Sequence, residues 1–152
     1  LIRIREIYHT KRLVEDHAKQ ILEHAHRKKP QAIICDHDAE DRATLERHLG
    51  LKTVGAKKDV SPGIQAVQTR LRLQDDGKPR LYLMRGSLVE RDKDLVEAKK
   101  PCCTEEEFDG YIWDPKHKKG EQPLKQDDHG MDTTRYMVAE RDLKRSTTWD
   151  VY

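Results

Sequence analysis

A short apolar run followed at once by an acid constrains the fold of this chain more than any other segment. Residues 32–35 read AIIC, and Pro30 separates them from the helical pattern that comes before. Such a run is typical of a strand that is buried on both faces of a parallel sheet. Asp36 follows directly. We therefore expect its carboxylate at the carboxyl end of that strand, where α/β proteins gather their functional groups.

Helical and strand patterns alternate along the rest of the chain. Helical periodicity covers residues 10–28, 39–49, 61–73 and 128–144, with weaker stretches at 87–98 and 105–108. Strand patterns cover residues 1–8, 52–54 and 81–84. The alternation predicts an α/β sheet with helices on both faces. Thr10 is the expected N-cap of the first helix, because its hydroxyl can accept a backbone N–H.

The composition sets limits on the class of protein. With 152 residues, 38% charged and 5% aromatic, the chain is predicted to form one domain with a thin aliphatic core. The net charge of +2 does not by itself require a polyanionic partner. Three cysteines form neither a disulfide framework nor a zinc pattern. No apolar run approaches a membrane span, so we expect a soluble, intracellular protein.

Two acids open the last predicted helix. Asp128 and Asp132 stand four residues apart, so both carboxylates project from one face. Acids in a first turn also compensate the helix dipole, and spacing alone favours that structural role. If these acids meet Asp36, the carboxylates suit Mg²⁺ or Mn²⁺ better than zinc. Two such ions about 4 Å apart support phosphodiester cleavage.

Three segments of the chain resemble the C-terminal nuclease domain of tailed-phage terminase large subunits. They read ICDHDAE at residues 34–40, VGAKKDVSPGI at 54–64 and DHGMDTTRY at 128–136. The segments occur in the expected order, and the last is the most specific. The resemblance covers roughly residues 4–138. It implies a ribonuclease H-like mixed sheet and a metal-dependent endonuclease that cuts concatemeric double-stranded DNA during genome packaging, in the cytoplasm of a bacterial host.

The resemblance also implies site residues and partners. The family's metal-binding acids carry over to Asp36, Asp128 and Asp132, which become candidate catalytic residues for two Mg²⁺ or Mn²⁺ ions. The family's first-strand Asp has no match, so the domain, assigned to residues 1–145 with a tail at 146–152, is expected to lack its first strands and to cut weakly. The implied partners are double-stranded DNA, an upstream ATPase domain in the same protein, the small terminase subunit and the portal protein, with no membrane.

Neighbouring polar residues have both a supporting and a structural interpretation. His129, Asp127 and Asp38 are candidates for supporting the metal site. They are also explained as a boundary histidine, a dipole partner and a helix cap. Basic residues in loops are candidate contacts to DNA phosphates: Lys57, Lys58, Lys116, Lys118 and Lys119. A run of charges is more often a solvated face.

Two alternatives to the terminase nuclease remain open. A RuvC-like or transposase-like nuclease would share the acids and act on branched or mobile DNA. A non-catalytic α/β module that binds DNA or the portal would use the acids only as caps. Arg135 and Tyr136 are expected to pack the last helix against the sheet. The distance between Asp36 and Asp132 tests the catalytic interpretations, since a shared metal ion requires these acids to be neighbours.

Overall fold

The computed structural model describes residues 1–25, 30–36, 39–117 and 122–143. The predicted tail at 146–152 and the candidates Asp38, Lys118 and Lys119 lie outside these ranges. The described elements, in chain order, are β1 (Ile2–Arg3), α1 (Val14–His24), β2 (Ile34–Cys35), α2 (Ala39–Leu49), β3 (Val54–Gly55), α3 (Val60–Leu71), β4 (Tyr82–Leu83), α4 (Lys93–Glu97), α5 (Thr104–Glu107), a 3₁₀ turn (Phe108–Gly110) and α6 (His129–Asp142). Within the described ranges, none of the helices combines the length and the hydropathy needed to cross a membrane.

The four described strands form two separate parallel pairs. β1 pairs with β4, with Ile2 opposite Tyr82. β2 pairs with β3, with Ile34 opposite Val54. The mixed α/β character is therefore confirmed, but the described residues do not form the one mixed sheet that we predicted. Each of these strands is two residues long.

The first helix begins later than the sequence predicts. Its N-cap is Leu13, and no side chain caps the helix there. The backbone N–H of Thr10 instead donates to the Asp92 carboxylate at 2.8 Å. Asp92 is buried and also accepts the N–H groups of Asp94 and Leu95 at the start of α4. Thr10 is thus held by a carboxylate 82 residues away, a contact that local helix signals could not reveal.

The core lies where α3 and α6 pack together. Val67, Leu81 and Val138 form the buried apolar cluster, with Leu1 and Ala66 packed against it. Val138 is fully buried. The cluster contains no aromatic side chain, as the composition predicted. This small core fixes α6 against α3, and the first turn of α6 carries the predicted acids.

Candidate functional site at the start of helix α6

Glu107 fixes the first turn of α6. Its carboxylate is 1% exposed and accepts the backbone N–H groups of Gly130 and Met131 at 3.0 and 2.8 Å. It also accepts the hydroxyl of Tyr8 at 2.5 Å. A carboxylate is stabilised here because the N–H groups at a helix N-terminus are unpaired and carry partial positive charge. The capping role that acids of α6 were expected to share is therefore performed by Glu107.

Gly130 allows α5 and α6 to approach closely at this point. A Cβ atom at Gly130 would lie 2.0 Å from the Thr104 hydroxyl oxygen and 3.0 Å from the Thr104 Cα. Thr104 is itself fully buried and bonds to Arg3 and Glu6. Only glycine fits here without a shift of the backbone. The start of α6 is thus held firmly by the α5 segment.

Asp36 and Asp132 converge on one hydroxyl group. The Tyr136 oxygen lies 2.9 Å from Asp36 Oδ2 and 3.4 Å from Asp132 Oδ2. The sum of these two distances is the largest possible separation of the two carboxylate oxygens. Acids 96 positions apart in the sequence are therefore neighbours. Burial, the hydrogen bond to Asp36 and the negative charges nearby raise the pKa of Tyr136, so its hydroxyl stays protonated.

Asp128 joins this group through a lysine. Lys125 Nζ lies 3.1 Å from Asp128 Oδ2 and 3.2 Å from Asp132 Oδ2. The two acids therefore share a face of the helix, as their spacing predicts. Asp128 is the N-cap residue of α6, yet its side chain makes no capping hydrogen bond. Capping the start of the helix therefore does not explain why the Asp128 carboxylate lies beside Lys125.

Arg135 fixes the orientation of Asp132. The guanidinium is 3% exposed and donates to Asp132 Oδ1 at 2.9 and 3.3 Å. It also reaches the backbone carbonyls of Lys58 and Asp59 at 3.4 Å. Gly63 of α3 leaves room for it, since a Cβ there would lie 2.7 Å from the Arg135 side chain. Arg135 thus packs α6 against the start of the helix α3, whereas we expected it to pack α6 against the sheet, and it also holds Asp132.

The adjacent lysines Lys57 and Lys58 have different surroundings. Lys58 Nζ lies 2.7 Å from Asp36 Oδ1, and its side chain is 67% exposed. Lys57 Nζ points the other way, to the carbonyls of Ala139 and Leu143 at the end of α6. Lys57 stays a predicted DNA contact, although its ammonium is bonded to the end of α6 in this structure. Lys58 and the exposed Lys116 remain candidates among the described lysines.

His129 and Asp127 lie at the edge of the acidic group. His129 is exposed and lines a cleft of about 280 Å³ together with Arg5 and His17. Asp127 has a φ of 48°, a left-handed conformation that Asp adopts more readily than most residues. Its carboxylate lies 3.5 Å from Lys100 Nζ. The predicted support of the metal site by His129 and Asp127 thus stays a prediction, because Asp127 pairs with Lys100 and His129 faces the cleft.

A divalent cation is the group that the resemblance implies, and two of the acids present offer donors of the right chemistry for it. Asp36 and Asp132 supply hard oxygen donors, which Mg²⁺ and Mn²⁺ prefer. The buried hydroxyl of Tyr111 has no hydrogen-bond partner within the described ranges. Burial is the largest cause that raises the pKa of Tyr111, and the negative charge of Asp132 is the next. No group of three or more His, Cys, Asp or Glu side chains among the described residues is arranged to hold a metal. The fit is therefore to a carboxylate pair, with other oxygens completing the shell.

Sequence reasoning missed two important residues, Glu107 and Lys125, and it also missed the position of Tyr111 near Asp132. Glu107 lies in a run of three glutamates, and nothing in that run marks it as the buried one. Lys125 stands three residues before Asp128 but ahead of the start of α6, so helical spacing did not indicate that it reaches the acids. Tyr111 comes near Asp132 only through the tertiary fold.

Two crystal structures of the large terminase from the thermophilic bacteriophage D6E are similar to this chain, with TM-scores of 0.57 and 0.56. Sequence identity is 30% and 31%, and each match covers 83% of this chain. The chain is related to phage large terminases. This terminase-related domain spans 27% of the length of each matched terminase chain. No family model and no curated protein matches the sequence.

Proposed function

We propose that this terminase-related domain is the metal-dependent endonuclease domain of a phage or prophage terminase large subunit, with a ribonuclease H-like fold. It would cut concatemeric double-stranded DNA during genome packaging. The observation that carries the proposal is the convergence of Asp36 and Asp132 on the Tyr136 hydroxyl. The similarity to a phage large terminase supports the packaging context.

In this proposal Asp36 and Asp132 hold a Mg²⁺ or Mn²⁺ ion, with Asp128 beside them. When bound, such an ion supplies water activation and charge stabilisation for phosphodiester hydrolysis. Tyr136 orients the Asp36 carboxylate by donating to it at 2.9 Å. Arg135 holds Asp132 with two hydrogen bonds. These fixed partners reduce the reorganisation that would otherwise be needed when a cation arrives.

The DNA side of the proposal rests on exposed lysines around the acids. Lys58 lies at Asp36, and Lys116 is exposed in the loop that leads towards α6. An ammonium at such positions neutralises phosphate without reading bases, so cutting should show little base preference. Sequence choice would then come from the proposed partners: the small terminase subunit, the portal protein and the ATPase domain of the same protein.

A second candidate is a non-catalytic module that binds DNA or the portal. One observation favours it, because each of the acids already contacts a cationic side chain. Lys58 contacts Asp36, Lys125 contacts Asp128 and Asp132, and Arg135 also contacts Asp132. In that case the network would serve only to neutralise charge and hold α6 in place.

Plasmid cleavage by the intact protein in Mn²⁺ separates these candidates. We expect Asp36→Asn and Asp132→Asn each to reduce cleavage by more than about 100-fold, since even outer-shell changes at metal sites cost roughly 10–100-fold. Asp75→Asn is the matched control, because Asp75 is an exposed acid in a turn. Circular dichroism checks that each variant is folded. Undiminished cleavage by a folded Asp132→Asn protein would refute the nuclease and leave the binding module.

A further inference from the structure

Lys125 is the cation that contacts two acids of the site at once. Its ammonium nitrogen lies 3.1 Å from Asp128 Oδ2 and 3.2 Å from Asp132 Oδ2. Lys58 contacts Asp36 and Arg135 contacts Asp132, so each of these two cations touches a single acid of the site. The space between two carboxylates on one helix face is where a bridging cation would bind, and the Lys125 ammonium lies there.

We infer that the Lys125 ammonium takes the cation position between Asp128 and Asp132, so that no divalent ion binds between these two acids. The inference rests on the proposed function and refines it. A metal ion is then held on the Asp36 side of Asp132, and the fixed charge of Lys125 replaces a second ion. This differs from the two ions that the sequence led us to expect.

The need for a cation between these acids follows from their burial. The Asp128 and Asp132 side chains are only 10% and 14% exposed. The like charges of Asp128 and Asp132 repel each other, and partial burial strengthens this repulsion. One positive charge between them relieves that repulsion. Lys125 supplies it from within the chain.

The backbone before Lys125 is held so that the ammonium stays close. Leu124 donates its N–H to the Ile112 carbonyl at 2.8 Å, and Asp114 donates to the Gln122 carbonyl at 2.8 Å. Between these bonds, Trp113 and Pro123 form an antiparallel bridge. A charge tethered by so short a link has a high effective concentration at the acids. It therefore competes well against a free divalent ion.

Counting bound Mn²⁺ tests the inference without any activity measurement. Electron paramagnetic resonance of free Mn²⁺ gives the number of ions bound by the intact protein in the absence of nucleotide and DNA. We expect Lys125→Met to bind one more Mn²⁺ per chain than the unmodified protein. Lys125→Arg keeps the charge and should leave the number unchanged. Equal numbers for the unmodified protein and the Lys125→Met variant would overturn the inference.

Matched controls make this comparison specific. Lys52→Met removes another lysine that pairs with a carboxylate, Glu46, at 3.1 Å, and should not change the number of bound ions. An extra ion in Lys52→Met as well would count against a special position for Lys125. Because the Lys125 side chain is 61% exposed, its replacement should not prevent folding. Lys125→Gln provides a second neutral variant with the same expectation.

Asp36→Asn distinguishes a failure of this inference from a failure of the proposed function. We expect the Asp36→Asn variant to lose the ion of the proposed site. The extra ion of Lys125→Met should persist in the double variant, because Asp128 and Asp132 hold it. If Asp36→Asn leaves ion binding unchanged, the proposed site at Asp36 is wrong. The Lys125 inference is still decided by the difference between the unmodified protein and Lys125→Met.

Discussion

The two ends of α6 are each capped by a charged side chain. At the first turn, the Glu107 carboxylate accepts the N–H groups of Gly130 and Met131. At the last turn, the Lys57 ammonium donates to the carbonyls of Ala139 and Leu143. Each capping side chain comes from elsewhere in the chain and carries the charge that the helix dipole favours at that end.

The ends differ in the charges that remain after capping. At the last turn, Asp142 forms two hydrogen bonds with the guanidinium of Arg70, a one-to-one pair. At the first turn, Asp36, Asp128 and Asp132 gather although Glu107 already satisfies the helix. The comparison teaches that acids beyond those needed for capping mark the face where a function is to be sought. The following predictions test whether the charges at the last turn are structural and whether the additional acids at the first turn are functional.

The largest effect on stability is expected at Glu107. Glu107→Ala removes the acceptor for two buried backbone N–H groups and for the Tyr8 hydroxyl. Each unsatisfied buried donor costs about 1–3 kcal/mol, so we expect the free energy of unfolding to fall by about 3–5 kcal/mol. Urea denaturation followed by circular dichroism measures this change.

Glu105→Ala is the matched control for Glu107, because Glu105 is exposed on the same short helix. It should change the free energy of unfolding by less than about 0.5 kcal/mol. If the two variants lose similar stability, Glu107 is not the structural cap of α6. The acids Asp128 and Asp132 would then regain the capping role that the structure gives to Glu107.

A smaller effect is expected at the other end of the helix. Lys57→Met removes the donor to the Ala139 and Leu143 carbonyls and the 3.5 Å ion pair with Glu140. Because the Lys57 side chain is 20% exposed, water replaces part of the lost contact. We expect a loss of about 1 kcal/mol by urea denaturation.

The adjacent Lys58 provides the control for Lys57. Lys58→Met removes an exposed ammonium that contacts Asp36, and stability should change by less than about 0.5 kcal/mol. A larger loss for Lys58→Met than for Lys57→Met would reverse our division of the two lysines. Lys58 would then be structural and Lys57 the better candidate for contact with DNA.

The parts of this site that sequence could predict are those fixed by local periodicity. Asp128 and Asp132 share a face because a helix repeats every 3.6 residues, and Lys125 indeed touches both. The same periodicity places Tyr136 one turn after Asp132, so its position at the acids was within reach of the sequence. The approach of Asp36 followed from the α/β pattern together with the family resemblance.

The parts that could not be predicted depend on tertiary contacts with no local signal. The bonds from Gly130 and Met131 to Glu107 span 23 and 24 residues. The strands also end earlier than predicted: within residues 1–8 only Ile2–Arg3 forms a strand. Ile2 and Ile4 are 61% and 47% exposed, so the alternation of residues 1–8 was not produced by a buried sheet face. Burial, which decides both cases, is a property of the whole fold.

The smallest predicted effect concerns the one-to-one pair at the end of α6. Through its hydrogen bonds the Arg70 guanidinium holds the pKa of Asp142 below its usual value, which is near 3.9 in unfolded chains. A depressed folded-state pKa stabilises the protein above about pH 4, and this contribution is lost as the pH falls through the folded-state pKa. We therefore expect Asp142→Asn to cost about 0.5–1 kcal/mol at pH 7 and less at pH 2 in urea denaturation. The exposed Asp75→Asn should show no such difference, and an Asp142→Asn cost that is equal at both pH values would mean that the pair does not contribute through its charge.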